Sequence, residues 1–474
     1  MVWNLQVNFF ILIFLFHIFL ILYLYINMSS RYLELAPTNK TTDNKYSFKK
    51  GVSQINFTIP EGNYVLDPSS VRIAGKITFF KNDNAVPEKP QPGEALGTNG
   101  RIGPVYSVIK DLTWRSSKHQ TVISHERNYN RWMSSYLGIT TSMSNSIGTM
   151  GEQMLTMPNY EASKESVVCR DTDSSFCVPL ICGLLNSGQS LPLTGNTLGG
   201  LECSLTLESN AMALQVLPAN FSTDPSTADF LSAYYELSDV QLICSVITPP
   251  PDQLSRLLSQ KQGAITYQSI HSFYDTSNSN NIQLSMNFSL KKVKSLFINV
   301  ISSDKLNNIG QDSFSTLPPM NSDGSQASVQ KISFLRGGTL FPKFFPRDTN
   351  VKETTDTIAQ DPVLFRDYIN AVTKYDGNTH TLGGVVNTNR GFLGKVSGGV
   401  NKGVPYQFVN NGGVFWGIGV NYDNYIGGSV DLSSQPFGLA MDCDLTSSNS
   451  QSLFIYVNAE SNILWSESGV MLVQ

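Results

Sequence analysis

The sequence predicts an all-β protein built from two consecutive β-sandwiches. Segments in which apolar and polar residues alternate recur on both sides of Pro249-Pro250-Pro251, close to the midpoint of the 474 residues. Three consecutive prolines fit neither a helix interior nor a central strand, so they predict a stiff connector. Each side also contains one short helix with an aromatic face. A chain of this length exceeds one ordinary core, and two similar β domains fit it best.

Composition and charge exclude several classes of function. Charged residues make up 15% of the chain, against about 25% in an average globular protein. Such a surface repels itself weakly and suits a protein in close contact with neighbours. The formal net charge of −4 provides no basic footprint for nucleic acid. We therefore expect no specific binding of DNA or RNA.

A hydrophobic leader occupies residues 1–27. Residues 9–26 are almost continuously apolar and are long enough to span a bilayer. No Lys or Arg precedes Arg31 and no small-residue cleavage site follows, which is unlike a signal peptide. The leader is either a membrane anchor or a gene-model extension of a chain translated from Met28. We favour the extension, because the residues after Met28 read as a complete soluble protein.

The cysteines predict neither a zinc site nor a disulfide framework. The six are few for this length, and none lies in a C-x-x-C pair. Cys203, Cys244 and Cys443 fall on the apolar phase of strands, which indicates reduced, buried thiols and an intracellular folding compartment. The sequence leaves a disulfide between Cys169 and Cys177 as an alternative. The N-x-[ST] sequons that begin at Asn39, Asn56, Asn220 and Asn287 are of a kind that this Ser- and Thr-rich sequence produces by chance.

The first sandwich is predicted over residues 47–248, after an N-terminal arm at 28–46. Alternating apolar residues predict strands at 55–59, 71–79, 106–115, 121–125, 201–207 and 240–246. Between them, Tyr129, Trp132 and Tyr136 recur at helical spacing and form the aromatic face of a short helix that Gly138 ends.

Residues 249–260 are predicted as a Pro-rich linker with a short helix, capped by Asp252 and bearing Leu254, Leu257 and Leu258. The second sandwich follows at 261–474, with strands predicted at 282–290, 293–301, 414–422, 439–445, 453–457 and 463–473. Its helix begins at Asp361-Pro362 and ends at Gly377. The apolar face of that helix includes Leu364, Phe365, Tyr368 and Ile369.

The sequence predicts no enzyme, no cofactor and no metal site. His119, His125 and Glu126 lie close together, but no second histidine falls at metal-ligand spacing. Gly417-Ile418-Gly419 lacks the third glycine of a dinucleotide loop. Leu335-Arg336-Gly337-Gly338 matches a protease-cleaved sequence, although a turn between strands is the better interpretation. Asp442 and Asp444 have a spacing compatible with glycosidase carboxylates, but surface acids of this kind are far commoner.

This arrangement resembles the double jelly-roll major capsid proteins of double-stranded DNA viruses. In its pattern of strands, helices and loops it most resembles those of polinton-like viruses, adintoviruses and virophages, and it resembles adenovirus hexon less. The likeness covers most of residues 31–474 and rests on sequence patterns, and the hydrophobic leader departs from it. Those patterns are the helices at 129–136 and 364–371, the strand at 235–242, and the ending formed by 428–445, 452–457 and 469–473.

The resemblance implies two eight-stranded jelly-roll β-sandwiches, each with a short helix in a long loop. It further implies homotrimeric, pseudo-hexagonal capsomers that tile an icosahedral shell in the virion, assembled inside the host cell. Neighbouring capsomers and minor capsid or penton proteins would be partners, and packaged double-stranded DNA would be enclosed without specific binding. The arm would reach a neighbour or the shell interior, and a membrane would be contacted only if residues 1–27 are translated. Towers or clasps would come from the loops at 81–104, 140–165, 303–327 and 377–403.

The alternative is a membrane-anchored or secreted β-sandwich protein for adhesion or carbohydrate binding. It takes the leader and the sequons at face value and predicts a glycosylated, oxidised monomer. A β-sandwich glycosidase ranks third.

Overall fold

A computed structural model shows two β-sandwiches side by side. It describes residues 29–49, 51–89, 96–98, 103–140, 174–216, 230–279, 281–309, 313–314, 329–343, 346–348, 362–373, 417–443 and 450–474. Within these ranges the first half contains β1 (Ser29–Leu35), β2 (Lys45–Tyr46), β3 (Gln54–Ile59), β4 (Val65–Phe80), β5 (Leu96–Thr98), β6 (Ile109–Ser116), β7 (Val122–Glu126), β8 (Ser174–Pro179), β9 (Leu191–Pro192), β10 (Leu201–Leu207), β11 (Leu214–Val216) and β12 (Tyr234–Thr248). The second half contains β13 (Gly263–Ser277), β14 (Asn281–Met286), β15 (Val293–Ser302), β16 (Val329–Arg336), β17 (Thr339–Leu340), β18 (Pro346–Asp348), β19 (Ile418–Asn421), β20 (Phe437–Cys443), β21 (Gln451–Ser466) and β22 (Gly469–Val473). The helices are α1 (Gly103–Val108), α2 (Tyr129–Thr140), α3 (Asn210–Ala213), α4 (Pro251–Ser259), α5 (Pro362–Thr373) and α6 (Tyr422–Ile426).

Both sandwiches have the same winding. In the first, one sheet has the order β1-β12-β4-β8, with β2 also on β12, and the facing sheet has the order β3-β10-β6-β7. In the second, β13-β21-β15-β19 faces β14-β20-β16-β17. Numbered along the chain from β2 or β13, the eight principal strands pair as 1-8-3-6 and 2-7-4-5. This is the jelly-roll order, so the predicted all-β fold is confirmed.

The two ends of the first sandwich differ. In the first sandwich one end, here called the turn end, carries the short connections from β3 to β4 and from β6 to β7, together with the β8-to-β10 segment. Ser29 pairs with Thr248 at this end, so the chain enters β1 and leaves β12 at the same place. The opposite end, called the loop end, carries the connections that include 81–108, 127–173 and 208–233. The predicted tower loop at 377–403 lies outside the described residues, as does that at 140–165 apart from Thr140 and most of that at 303–327. Of the loop at 81–104, the structure describes residues 81–89, 96–98 and 103–104.

Several predicted boundaries in the first half and the linker were wrong. Residues 106–108 belong to α1 rather than to a strand, because the buried run Val105–Ile109 lacks the alternation of a half-exposed strand. Part of the predicted N-terminal arm is strand β1, which pairs antiparallel with β12 and packs Leu33 and Leu35 on the core. Helix α2 continues past Gly138 to Thr140. Helix α4 has Pro250 rather than Asp252 at its N-cap.

The second half also differs from expectation. Strand β14 ends at Met286, although Phe288 and Leu290 beyond it are buried. The final predicted strand is a hairpin, in which β21 turns at Glu467-Ser468 into β22. Tyr422 begins α6 instead of extending β19, since the Asn421 side chain accepts a hydrogen bond from the Asp423 N–H and caps the helix. Val414, Trp416, Asp444 and Leu445 lie outside the described residues.

The described cysteines are all free, and four of the five are buried. Burial raises the pKa of the Cys244 thiol to about 11, which keeps it protonated and unreactive. Cys169 lies outside the described residues, as does the leader. Among the helices that the structure describes, none is long and apolar enough to cross a bilayer.

Candidate functional site at the junction of the two sandwiches

The aromatic face of α2 lies at the junction. Tyr129, Trp132 and Tyr136 are buried and form a continuous ladder, with ring centroids 5.7 Å and 5.3 Å apart along the helix. Tyr106 of α1 extends the ladder at 6.4 Å from Tyr129. The structure thus places these three predicted side chains in the core of the first sandwich, on a helix that also contacts α5 of the second.

Helix α5 approaches from the other side and lies flat on β19. Tyr368 and Ile369 are buried, whereas the side chains of Leu364 and Phe365 are outside the described residues. Glycine makes this close approach possible, because a Cβ on Gly419 would lie 2.8 Å from the Ala371 Cβ. The Gly417-Ile418-Gly419 segment therefore allows α5 to pack closely on β19.

A buried hydrogen-bond triangle joins the two helices to β15. The Tyr368 hydroxyl donates to Asn299 Oδ1 at 2.9 Å and lies 3.2 Å from Ser135 Oγ. Asn299 Nδ2 donates to the same Ser135 oxygen at 2.7 Å. All three residues are buried. Because a buried polar group left unpaired is costly, this triangle fixes the relative position of the two sandwiches.

Arg131 contacts a loop and a strand of the second sandwich. Its guanidinium lies 4.2 Å from the Phe454 ring centroid and 5.2 Å from that of Phe314, and Nη1 donates to the Ser313 carbonyl at 2.5 Å. The Ser134 hydroxyl donates to the Phe314 carbonyl at 3.3 Å. Arg131 is 5% exposed. A desolvated guanidinium between two aromatic faces gains more from each than an exposed one would.

A second seam runs between β7 and β13. The Tyr267 hydroxyl donates to the Ile123 carbonyl, and Asn128 Nδ2 donates to Ser272 Oγ at 3.0 Å. Gly183 lies directly against the Gln268 backbone, where a Cβ would meet the carbonyl oxygen at 1.6 Å. No side chain fits there, so glycine is required for the two sandwiches to meet.

Glu126 is buried beside this seam. Burial raises the pKa of its carboxyl to about 8, although hydrogen bonds from Ser124 Oγ and the Gly183 N–H act in the opposite direction. Tyr129, Cys182 and Tyr267 are the titratable groups that face it. His125 is exposed, because neighbouring residues of a strand point to opposite faces. The structure therefore does not bring His125 and Glu126 together as a site.

Other sequence candidates have structural explanations. Leu335-Arg336-Gly337-Gly338 forms the hairpin turn between β16 and β17, with φ of 57° at Gly337 and 79° at Gly338. Ser269 Oγ lies 2.7 Å from His271 Nε2, but burial lowers the pKa of His271 to about 4, and the same hydroxyl lies 2.6 Å from Ser461 Oγ. Within the described part of the chain, no group of three His, Cys, Asp or Glu residues is placed to hold a metal ion.

The junction was only partly visible in the sequence. Spacing identified the aromatic helix faces, but Gly183, Asn128, Ser272 and Asn299 belong to no local pattern. Their roles depend on contacts between residues at least 69 positions apart along the chain, which periodicity does not report.

Comparison with known proteins shows the fold. No family model matches the sequence, and no curated protein matches it. Among solved structures, the PBCV-1 virus capsid is similar with a TM-score of 0.55 and 12% identity, covering 94% of this chain and 97% of that chain. A chain of the Sputnik virophage has a TM-score of 0.51 and 13% identity over 94% of this chain and 88% of its own. The Faustovirus major capsid protein gives 0.51 and 10%, over 93% and 91%.

These likenesses extend over almost the whole of each chain, so they include both sandwiches and their side-by-side arrangement. The fold is therefore the double jelly roll found in major capsid proteins of double-stranded DNA viruses and virophages.

Proposed function

We propose that this chain is a major capsid protein, whose trimers form pseudo-hexagonal capsomers that tile an icosahedral shell around double-stranded DNA. The observation that carries the proposal is the junction, where α2, β7 and Arg131 of one jelly roll lock onto α5, β13 and the 313–314 loop of the other. One chain then behaves as a stiff pair of building blocks, and three chains supply six. The structural neighbours are viral capsid proteins, which supports a place in the virion.

The junction covers a sheet face of the second sandwich but not the equivalent face of the first, which indicates how copies would meet. The second sandwich presents the outer face of its β13-β21-β15-β19 sheet to the first sandwich. The equivalent outer face of the first, on β1-β12-β4-β8, is exposed at Arg72 and Gln241. We propose that the second sandwich of a neighbouring copy covers this face, in a head-to-tail contact that repeats until three chains close a ring.

Polar residues dominate that exposed face. Lys45 lies 3.0 Å from Glu236, and Lys76 lies 2.9 Å from Asp239. Exposed ion pairs of this kind add little to the stability of the chain alone. A contact between copies over this face is therefore weaker per unit area than the apolar junction within the chain, which suits subunits that fold first and assemble afterwards.

The remaining partners follow from charge and topology. With a net charge of −4, the chain would enclose DNA without binding it specifically. The connections at the loop end would contact neighbouring capsomers and minor capsid or penton proteins. Assembly would take place inside the host cell.

Native mass spectrometry of the full-length chain tests the proposal. We expect a trimer of three times the 52.2 kDa chain mass. The variant Gln241→Trp, which places a bulky ring on the exposed face, should yield folded monomers. Ser468→Trp, in the exposed turn before β22, is the matched control and should remain trimeric.

Two outcomes count against these statements separately. A wild-type chain that stays monomeric under all assembly conditions would contradict the capsomer and favour the adhesion alternative. A trimer that survives Gln241→Trp would leave the capsomer intact and show that copies meet through another face.

A further inference from the structure

The second sandwich exposes two apolar side chains at places where the first sandwich buries its own. Leu340 in β17 is 44% exposed, and Ile426 in α6 is 45% exposed. Ile123 is the second residue of β7, as Leu340 is of β17, and it is completely buried. Leu185 lies in the helical turn after β8, in the position that Ile426 has in α6 after β19, and it too is buried. The same two places are therefore covered in one sandwich and open in the other.

The two places adjoin each other in both sandwiches. In the first, the Gly183 N–H donates a hydrogen bond to the last residue of β7. In the second, the ring of Phe341, which follows β17, lies 5.9 Å from the ring of Tyr422, which begins α6. The Tyr425 hydroxyl donates to Asp367 Oδ2 and so fixes α6 on α5. Leu340 and Ile426 thus belong to one rigid surface, here called the β17-α6 surface.

Cross-strand rows identify what would lie opposite the β17-α6 surface. Each sandwich has a row of paired residues that crosses four strands from the last residue of β8 or β19. These rows are Pro179, Arg72, Ile243 and Glu34 in the first sandwich, and Asn421, Ser295, Asn458 and Ile270 in the second. Gln268 lies two residues before the end of its row in β13, and Tyr32 lies two residues before the end of its row in β1. Tyr32 therefore occupies the place of Gln268, whose backbone lies against Gly183 in the junction.

Tyr32 is a large, partly apolar side chain on an otherwise polar face. Leu33 and Leu35 of the same strand pack on the core, so Tyr32 points outward, where it is 76% exposed. Tyrosine is enriched at protein interfaces, because its rigid ring supplies much contact area at a small cost in conformational entropy. Its position in the row, rather than its exposure alone, marks it as a contact residue.

We propose that Tyr32 of one copy packs against Leu340 and Ile426 of the next copy. This inference rests on the proposed capsomer and names the side chains that hold it together. A second copy is the occupant, because the chain already packs the equivalent pair of surfaces together at its own junction. The polar residues of the open face, including its two ion pairs, supply a rim around this apolar contact. Each copy carries one tyrosine and one β17-α6 surface, so the contact is head-to-tail and repeats until the ring closes.

Photo-cross-linking in the full-length chain tests the proposal. Benzoylphenylalanine in place of Ile426 should attach on irradiation to the tryptic peptide 32–40. A mixture of isotope-labelled and unlabelled copies should show that the two joined peptides come from different chains. Benzoylphenylalanine in place of Val86 is the control. Val86 is 80% exposed but lies at the loop end of the first sandwich, so it should not label this peptide.

Substitutions measure the strength of the contact. Tyr32→Ser and Ile426→Ser should each raise the dissociation constant of the trimer at least about tenfold, as residues at the centre of an interface do. Both side chains are exposed in the single chain, so the melting temperatures should match that of the wild type. Val86→Ser is the matched control and should leave the trimer unchanged. The double variant Tyr32→Ser, Ile426→Ser should lose less than the sum of the single effects, because both changes remove one contact.

The outcomes separate this inference from the capsomer itself. Trimers in which residue 426 labels a peptide other than 32–40, or only its own chain, would overturn the contact and leave the capsomer standing. Trimers that withstand both Tyr32→Ser and Ile426→Ser would do the same. A wild-type chain that stays monomeric would overturn the capsomer and the contact together.

Discussion

The sheet β13-β21-β15-β19 and its counterpart β1-β12-β4-β8 have the same strand order but different surroundings. In β21 the first nine residues are all buried, with Leu453, Ile455 and Val457 facing the core of the second sandwich and Phe454 and Tyr456 facing the first. In β12 the outward positions Glu236 and Gln241 reach solvent. The difference shows which face of a jelly roll this chain uses as a joint, and which face the single chain leaves exposed to solvent.

The largest effect is expected from removing an aromatic side chain on the covered face. Tyr456 is fully buried, and its ring stacks 4.9 Å from that of Phe297. Tyr456→Ala should lower the free energy of unfolding by about 4 kcal/mol, as large-to-small changes in a core do. Tyr32, on the open face, is 76% exposed, so Tyr32→Ala should cost less than about 0.5 kcal/mol. Denaturant titration measures both, and equal losses would contradict the assignment of the two faces.

A substitution at the point of closest approach should cost somewhat less. Gly183→Ala places a methyl group against the Gln268 carbonyl, so β13 or the 180–200 segment must shift. We expect a loss of about 3 kcal/mol, the upper range for overpacking. Gly51 has no atom within 4 Å of its added Cβ, so Gly51→Ala is the matched control. A thermal shift for Gly183→Ala no larger than that of the control would show that the sandwiches do not meet there.

Glu126 should make the junction less stable as pH rises from about 4.5 towards 8. Its folded pKa of about 8 lies above that of a carboxyl in an unfolded chain. The contribution of the protonated Glu126 carboxyl to the free energy of unfolding is therefore fully present below pH 4.5. It is lost as pH rises towards 8. The slope is about 1.4 kcal/mol per pH unit, or about 3 kcal/mol between pH 5 and pH 7.

Glu126→Gln should remove this pH dependence of the unfolding free energy while keeping the shape of the side chain. The variant should therefore become more stable relative to the wild type as pH rises. The exposed Glu34→Gln should follow the wild-type profile. Unfolding curves at several pH values measure the difference. Parallel profiles for wild type and Glu126→Gln would contradict a protonated, buried carboxyl.

The smallest expected effect concerns a single hydroxyl. Tyr368→Phe removes the hydrogen bond to Asn299 Oδ1 and should cost about 1 kcal/mol. Because Ser135 belongs to the same triangle, Ser135→Ala and Tyr368→Phe should not be additive in a double-mutant cycle. Additive losses would mean that the two residues act independently.

Sequence patterns were informative where one face of a strand meets water. Strand β10 alternates buried and half-buried residues over its whole length, and its bounds, residues 201–207, were predicted correctly. Strand β21 is buried on both faces, so its signal is a short apolar run at 453–457 within a 16-residue strand. The polar end of that strand and its hairpin to β22 went unrecognised for the same reason.

The junction was predictable only as two helix faces. Spacing placed Tyr129, Trp132 and Tyr368 on apolar faces, but it could not show that the two helices meet. Asn299 and Glu126 are ordinary polar residues until a second sandwich covers them. Tertiary contact, rather than local propensity, decides their burial and their partners.

The most direct test of the proposed assembly is a cryo-electron microscopy reconstruction of the particles formed by the full-length chain. We predict trimers with six jelly rolls in a ring, in which the second sandwich of each copy covers Gln241 and the β1-β12-β4-β8 face of the next. Monomers, or trimers in which that face stays open to solvent, would contradict the account.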